Sequence, residues 1–248
     1  MSKKIAFCKV SISPLRKESS DASEMVSQLL FGELVEIEEV KNNWTKVTTF
    51  FDNYEAWTDT KHLIYLSEKE VNRHLDGLTI ETTLIREIQT PWGNQFITRG
   101  AFIHDEASDF NIGQNEFSFL NRIEEENFTL ESYAKSYLNA PYLWGGKSPF
   151  GIDCSGFTQQ VFRYFDKKIP RDAYQQAEHG MEIDFDDKLE GDLAFFSNSS
   201  GKITHVGIVL NDSQIIHASG QVKIDVLKKD GIYSFDEKTH DLISIKRI

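Results

Sequence analysis

The 248-residue sequence is short of the residues that would commit it to several specialised classes. It has two cysteines, Cys8 and Cys154, which allow one disulfide at most and exclude a disulfide framework. Five prolines exclude a proline-rich linker or recognition tract. No apolar run approaches the ~18 consecutive residues of a membrane helix. The opening stretch MSKKIAFCKVSIS has two lysines but lacks an apolar h-region and a small-residue cleavage site, so no signal peptide is read there. Cytoplasmic location is the resulting expectation. Basic residues are in the minority, 27 Lys plus Arg against 39 Asp plus Glu, giving a formal charge of −12. That balance argues against nucleic acid and anionic membrane as partners, since phosphate binding needs clustered Lys and Arg.

What is present is the composition of a soluble globular protein: 40% hydrophobic, 12% aromatic and 27% charged residues. Two textures divide the chain. Up to about residue 125, short apolar or alternating runs at 5–12, 34–40, 44–51, 63–66, 78–88 and 95–103 are broken by Gly, Asn and Asp. They predict strands, and no helical stripe is read among them. Size and pattern suggest two small barrels, 1–67 and 68–125, with a junction at Ser67–Glu70. From Phe128 the pattern changes. Leu130, Tyr133, Ala134, Tyr137 and Leu138 predict a helix over 129–139. After a Gly/Pro-rich loop, Phe157, Val161, Phe162 and Phe165 predict a second helix with Asp153 as its N-cap. Strands over 192–196, 203–210 and 214–218 follow, so the catalytic half is expected to be an α+β domain, 126–248. The acidic runs 124–126 and 184–187 read as solvated faces.

Three residues carry the chemistry. Cys154 falls on the first turn of the second predicted helix, where unpaired N–H groups and the positive helix end favour a thiolate, so a lowered pKa is expected. A buried small hydrophobe is the bland alternative. His205 and His217 flank the turn Asn211–Ser213. A three-residue loop makes the numbers of paired residues sum to 424, which sets His217 opposite Gly207, diagonal to His205 and on the same face. Nucleophile, base and orienting group is then one reading of Cys154, His205 and His217. A Cys–His–His zinc site is the other, weakened by the lack of closely paired ligands. No metal or cofactor is implied otherwise. His62, His74, His104, His179 and His240 have no partner at a suggestive spacing and read as surface or structural.

The motifs Pro141-Tyr142-Leu143-Trp144-Gly145-Gly146, Gly151-Ile152-Asp153-Cys154-Ser155-Gly156-Phe157, Pro170-Arg171-Asp172-Ala173 with Gln175 and Gln176, Gly191–Phe196, His205–Ile208 and Ile216–Ala218 occur in the order of the NlpC/P60 cysteine peptidases, which residues 129–220 resemble. The resemblance implies a papain-like α+β catalytic domain acting on peptidoglycan stem peptides. It makes Cys154 the nucleophile, His205 the base, His217 the third polar residue and Tyr142 a tyrosine beside the thiol. Two SH3-like β-barrels ahead of such a domain are similar to the γ-D-glutamyl-L-diamino acid endopeptidase subgroup. That subgroup cuts L-Ala-γ-D-Glu-diamino acid peptides with a free N-terminal L-Ala during muropeptide recycling. By the same resemblance Glu33, Tyr54, Asp153 and Ser155 bind substrate, the carboxylates gripping the L-Ala ammonium. Asn53 and Ala56 stand where glycines are expected. Simpler roles stay open: a surface Glu33, core packing for Tyr54 and Trp57, and a cap alone for Asp153. A cell-wall peptide-binding module, or an acyltransferase or amidase on the same scaffold, is the alternative function.

Overall fold

The structure is a computed structural model that describes residues 4–104, 109–121 and 127–248. The acidic run 124–126 and the expected domain boundary at 125/126 lie outside the described residues. The chain divides into two compact units, residues 1–126 with 147–149, and residues 127–146 with 150–248.

In the first unit a seven-stranded antiparallel sheet runs in the order Met25–Leu30, Ile12–Arg16, Glu55–Asp59, Trp44–Thr49, Leu34–Lys41, Lys4–Cys8, Leu63–Leu66. Strand alternation sends Ala6 and Cys8 into one core with Leu15, Leu29, Val35, Val47 and Ala56. It sends Phe7 and Leu34 into another, which Phe31 joins. That second core is completed by Ile88, Ile97, Phe110 and Phe117, from the four-stranded sheet Gly93–Thr98, Ile85–Thr90, Asn115–Phe119, Asp109–Ile112. Phe31 meets Phe117 edge-to-face at 5.2 Å between ring centroids. Residues 68–104 and 109–121 therefore share a core with the strands before them. Leu78–Ile80 pairs with Phe102–His104 beside it. Gly32 is required at its turn: its φ is +79°, and a Cβ would lie 2.0 Å from the Phe102 carbonyl oxygen.

The helix Glu68–Leu75 corrects the expectation of an all-strand first half. Ser67 caps it, and Glu70 reaches back to the Ser67 amide, a reciprocal capping box. Its buried residues are Val71 and His74, too few apolar positions to show as a helical stripe. Strands Met25–Leu30 and Glu55–Asp59 are likewise additions to the pattern read from sequence.

The second unit sets the helices Leu130–Lys135, Cys154–Tyr164 and Ala173–Gln176 with a seven-stranded antiparallel sheet. The sheet order is Met181–Ile183, Glu237–Arg247, Leu193–Ser197, Ile203–Asn211, Gln214–Ser219, Gln221–Lys228, Gly231–Ser234. Gly231–Ser234 also pairs with Glu237–Arg247, so the sheet closes on itself. Phe157, Val161 and Phe162 of the central helix pack with Leu193, Phe195, Val206, Ile208 and Ile216. A second cluster, Ala194, Phe196, Val209, Ile215, Leu227, Ile232 and Ile245, fills the closed side. The expected α+β balance shifts toward β, because three strands after residue 220 add to the meander.

Candidate active site

The helix Cys154–Tyr164 starts where Asp153, in an extended conformation, accepts the Gly156 amide at 2.6 Å. Cys154 is thus the first helical residue. The Asp153 carboxylate also accepts the Gly145 amide at 2.8 Å and both terminal nitrogens of Arg171, at 2.9 and 2.7 Å. Arg171 further donates to Ser155 Oγ at 3.1 Å. All of these groups are buried, and a bidentate Arg–carboxylate pair is among the strongest buried polar contacts. The segment around the cysteine is held as one polar unit.

The Cys154 side chain is 5% exposed and its Sγ lies 4.0 Å from the Thr204 carbonyl oxygen, against the strand that carries His205. Burial is the main influence on its acidity, followed by the negative charge of Asp153. Together they outweigh the Val206 and Ser155 amides and Arg171, and push the thiol up to about 12. The expected low-pKa thiolate is corrected here. The helix end is present, but desolvation of a charged sulfur outweighs it.

Gly207 pairs with His217 and Ile208 with Ile216, the 424 register. The turn itself differs from the expected three-residue loop: the strands run Ile203–Asn211 and Gln214–Ser219, and a bulge between Val209 and Asn211 absorbs the extra residue. His205 Nε2 lies 2.8 Å from His217 Nδ1, with the rings edge-to-face. A Cβ on Gly207 would approach His217 Cβ to 2.9 Å, so the small residue makes room for the pair. Burial holds the pKa of both imidazoles down, His205 well below its ordinary value, so they are neutral near pH 7.

Two further side chains, Asp225 and His240, meet this pair. Asp225 Oδ2 lies 3.0 Å from His217 Nε2 and 2.9 Å from Lys223 Nζ, and Ser234 Oγ donates to Asp225 Oδ1 at 3.0 Å. His240 stacks on His205 with ring centroids 4.3 Å apart, which corrects its reading as a residue without a partner. His74 and His104, buried and joined at 2.9 Å in the first unit, fit the structural reading. Asp225 was within reach of the ladder rule: the turn at Gly220 sets His217 opposite Lys223, and Asp225 follows on the same face.

Tyr142, also near Cys154 and Asp153, has its hydroxyl acidity lowered by burial and by both neighbouring groups. Its backbone amide is anchored to the Gly220 carbonyl at 2.9 Å. In the first unit Glu33 is buried, not the surface residue of the bland reading, and accepts Lys147 Nζ at 3.0 and 3.3 Å. Tyr54 packs on the first core, and its amide donates to Thr49 Oγ1 at 2.9 Å. Asn53 holds the glycine-like backbone expected there, at φ +55°. Glu33 and Asp153, the two carboxylates expected to grip the substrate ammonium, are both buried. Each already holds an internal cation, Lys147 and Arg171. Among the described residues no group of three or more His, Cys, Asp or Glu side chains is arranged to hold a metal ion.

A cysteine opening a helix beside a strand-borne, hydrogen-bonded histidine pair is an arrangement of nucleophile, base and orienting group. Comparison with known proteins agrees in class. The profile described as the NlpC/P60 family matches residues 139–239, and the bacterial dipeptidyl-peptidase Sh3 domain matches 15–63. The probable endopeptidase NlpC of Escherichia coli is 41% identical over 106 residues, 42% of this chain and 69% of that protein. The gamma-D-glutamyl-L-lysine dipeptidyl-peptidase of Bacillus cereus is 27% identical over 229 residues, 80% of this chain and 68% of that one. In fold, an NlpC/P60 family protein from Bacillus cereus aligns with a TM-score of 0.80 at 20% identity, covering 98% of this chain and 99% of the other. The chain belongs to the NlpC/P60 family.

Proposed function

We propose that the protein is a cysteine peptidase that cleaves the bond between the γ-carboxyl of D-Glu and the diamino acid of peptidoglycan stem peptides, releasing L-Ala-D-Glu. The observation that carries the reading is Cys154 at a helix start against the His205 strand, with His205 bonded to His217 at 2.8 Å. The relatives named gamma-D-glutamyl-L-lysine dipeptidyl-peptidase, matched over most of their length, supply the substrate class. Thiol and imidazole both rest neutral, so His205 takes the thiol proton as sulfur attacks the γ-carbonyl. A tetrahedral oxyanion forms, and backbone N–H groups at the helix start, with the Tyr142 hydroxyl, are the donors offered to it. Its collapse breaks the C–N bond, His205 protonates the departing amine, and a thioester remains on Cys154. His205 then takes a proton from water, whose oxygen attacks the thioester and regenerates the thiol. Recycling of free muropeptides is the role that suits a substrate with a free L-Ala amine.

Mass spectrometry of the purified chain with L-Ala-γ-D-Glu-L-Lys and its diaminopimelate counterpart, amine free or acetylated, tests the proposal. The dipeptide is expected from a free-amine substrate and no product from Cys154→Ala. Turnover by Cys154→Ala above a few per cent of the wild type refutes the nucleophile. Equal rates on free and acetylated substrates refute counting from the amino terminus.

A further inference from the structure

The hydrogen bonds around His205 do not end at His217. His217 is fully buried, and its two ring nitrogens face different partners: Nδ1 meets His205 Nε2 and Nε2 meets Asp225 Oδ2. An imidazole's proton sits on whichever nitrogen faces an obligatory acceptor. We propose that Asp225 is a positioning residue that sets the tautomers of both histidines, and through them the nitrogen with which His205 acts as a base.

The argument runs outward from the carboxylate. Asp225 accepts from Lys223 at Oδ2 and from Ser234 at Oδ1, so it is held as an anion. Burial alone raises its pKa, but the hydrogen bonds from His217, Lys223 and Ser234 together hold it well below the usual carboxylate range. An anionic oxygen at 3.0 Å requires the His217 proton on Nε2. Neutral His217 then has a bare Nδ1, which accepts His205 Nε2–H at 2.8 Å. Neutral His205 in turn has its proton on Nε2 and a bare Nδ1. Were the carboxylate absent, His217 could donate from Nδ1 to His205 Nε2. That would put the His205 proton on Nδ1 and leave no lone pair with which to take one from a thiol. The ordered chain also fits the charged step: with a proton gained at Nδ1, His205 keeps Nε2–H directed at the His217 lone pair, and Asp225 supplies the nearby negative charge.

Every element packed on the pair bears on its protonation. His205 comes from strand Ile203–Asn211 and His217 from Gln214–Ser219. Lys223 and Asp225 come from Gln221–Lys228, and His240 from Glu237–Arg247. His240, stacked on His205, disfavours the charged base if it is itself protonated.

The proposal rests on the cysteine-peptidase reading for its catalytic consequence and on geometry alone for the tautomers. The test has two arms on the full-length protein. Histidine 15N spectra near pH 7.5, without substrate, are expected to show both His205 and His217 protonated at Nε2. Wild-type His217 protonated at Nδ1 overturns the proposal, whatever the enzyme cleaves. In Asp225→Asn a fraction of His205 is expected to move its proton to Nδ1. On the stem peptide that the wild type turns over, kcat is expected to fall by about a hundredfold while KM stays within about twofold; a wrong base tautomer costs that much or more in Ser-His-Asp enzymes. The acid limb of the pH–kcat profile is expected to shift, with unfolding temperature close to wild type. Unchanged His205 spectra together with wild-type kcat refute the positioning role. If the wild type leaves both stem peptides intact, the peptidase reading fails and the tautomer arm still decides this proposal. If Asp225→Asn does not fold, the wild-type spectra decide it alone.

Discussion

Lowering the pH from about 7.5 to about 4.5 is expected to weaken the first unit through His74. This side chain is 1% exposed on the helix Glu68–Leu75. Its Nε2 donates to the Gly32 carbonyl at 2.9 Å, and its Nδ1 accepts from His104 Nε2 at 2.9 Å. A second proton at Nδ1 requires His104 Nε2 to give up the proton it donates. Burial is the main cause that brings its pKa down to about 4; His104 pushes the same way and the Gly32 carbonyl opposes both. The unfolded chain takes up a proton near pH 6.5 that the folded chain refuses until about pH 4. Stability is therefore fully present above pH 6.5 and is lost as the pH falls through that window. A shift from 6.5 to about 4 is worth on the order of 3 kcal/mol at ~1.4 kcal/mol per unit, a large share of the ~5–15 kcal/mol of a typical domain. Urea unfolding of the full chain, followed by tryptophan fluorescence, to which Trp44, Trp57 and Trp92 of the first unit and Trp144 of the second contribute, measures this across the range. His205, His217 and His240 also have lowered pKa values and add to the acid loss in the second unit, so the comparison is with His74→Gln. That variant is expected to be less stable at neutral pH, yet to lose about 2–3 kcal/mol less on acidification. Parallel curves for the two proteins, or a His74 ring resonance titrating near pH 6.5, would refute the reasoning.

Three further perturbations address the second unit. Iodoacetamide should label Cys154 with an inflection far above the ~8.5 of an ordinary thiol, because burial and Asp153 keep it protonated; an inflection below pH 8 sinks that account. Arg171→Ala strands the buried Asp153 carboxylate and should cost about 3–5 kcal/mol in thermal or urea unfolding, and a loss under about 1 kcal/mol contradicts it. Gly207→Ala places a methyl 2.9 Å from His217 Cβ and 2.8 Å from Ile215 Cδ1. It should cost about 1–3 kcal/mol and lower kcat by displacing His217, so wild-type values of both exclude the clash.

Much of the candidate site was readable because its parts are local. Asp153 as N-cap and Cys154 as first helical residue follow from hydrogen bonds within four residues of chain. The His205–His217 register follows from a tight turn and the two-residue period of a strand. One hairpin further the same ladder sets Lys223 opposite His217 and Asp225 on the same face. Other features needed the folded chain. His240 reaches His205 because the last strand pairs with Leu193–Ser197, which pairs in turn with the His205 strand. Arg171 lies 18 residues from Asp153, and nothing in the intervening helix and loop announces the ion pair. The acidity of Cys154 is likewise a tertiary property. The helix start that favours a thiolate is written in the sequence, whereas the desolvation that outweighs it comes from strands 50 residues away. The sequence alone therefore determined local geometry, which short-range hydrogen bonds and side-chain periodicity impose. Only the tertiary structure decided which buried charges meet and how dry the thiol is, because both depend on segments that no local rule brings together.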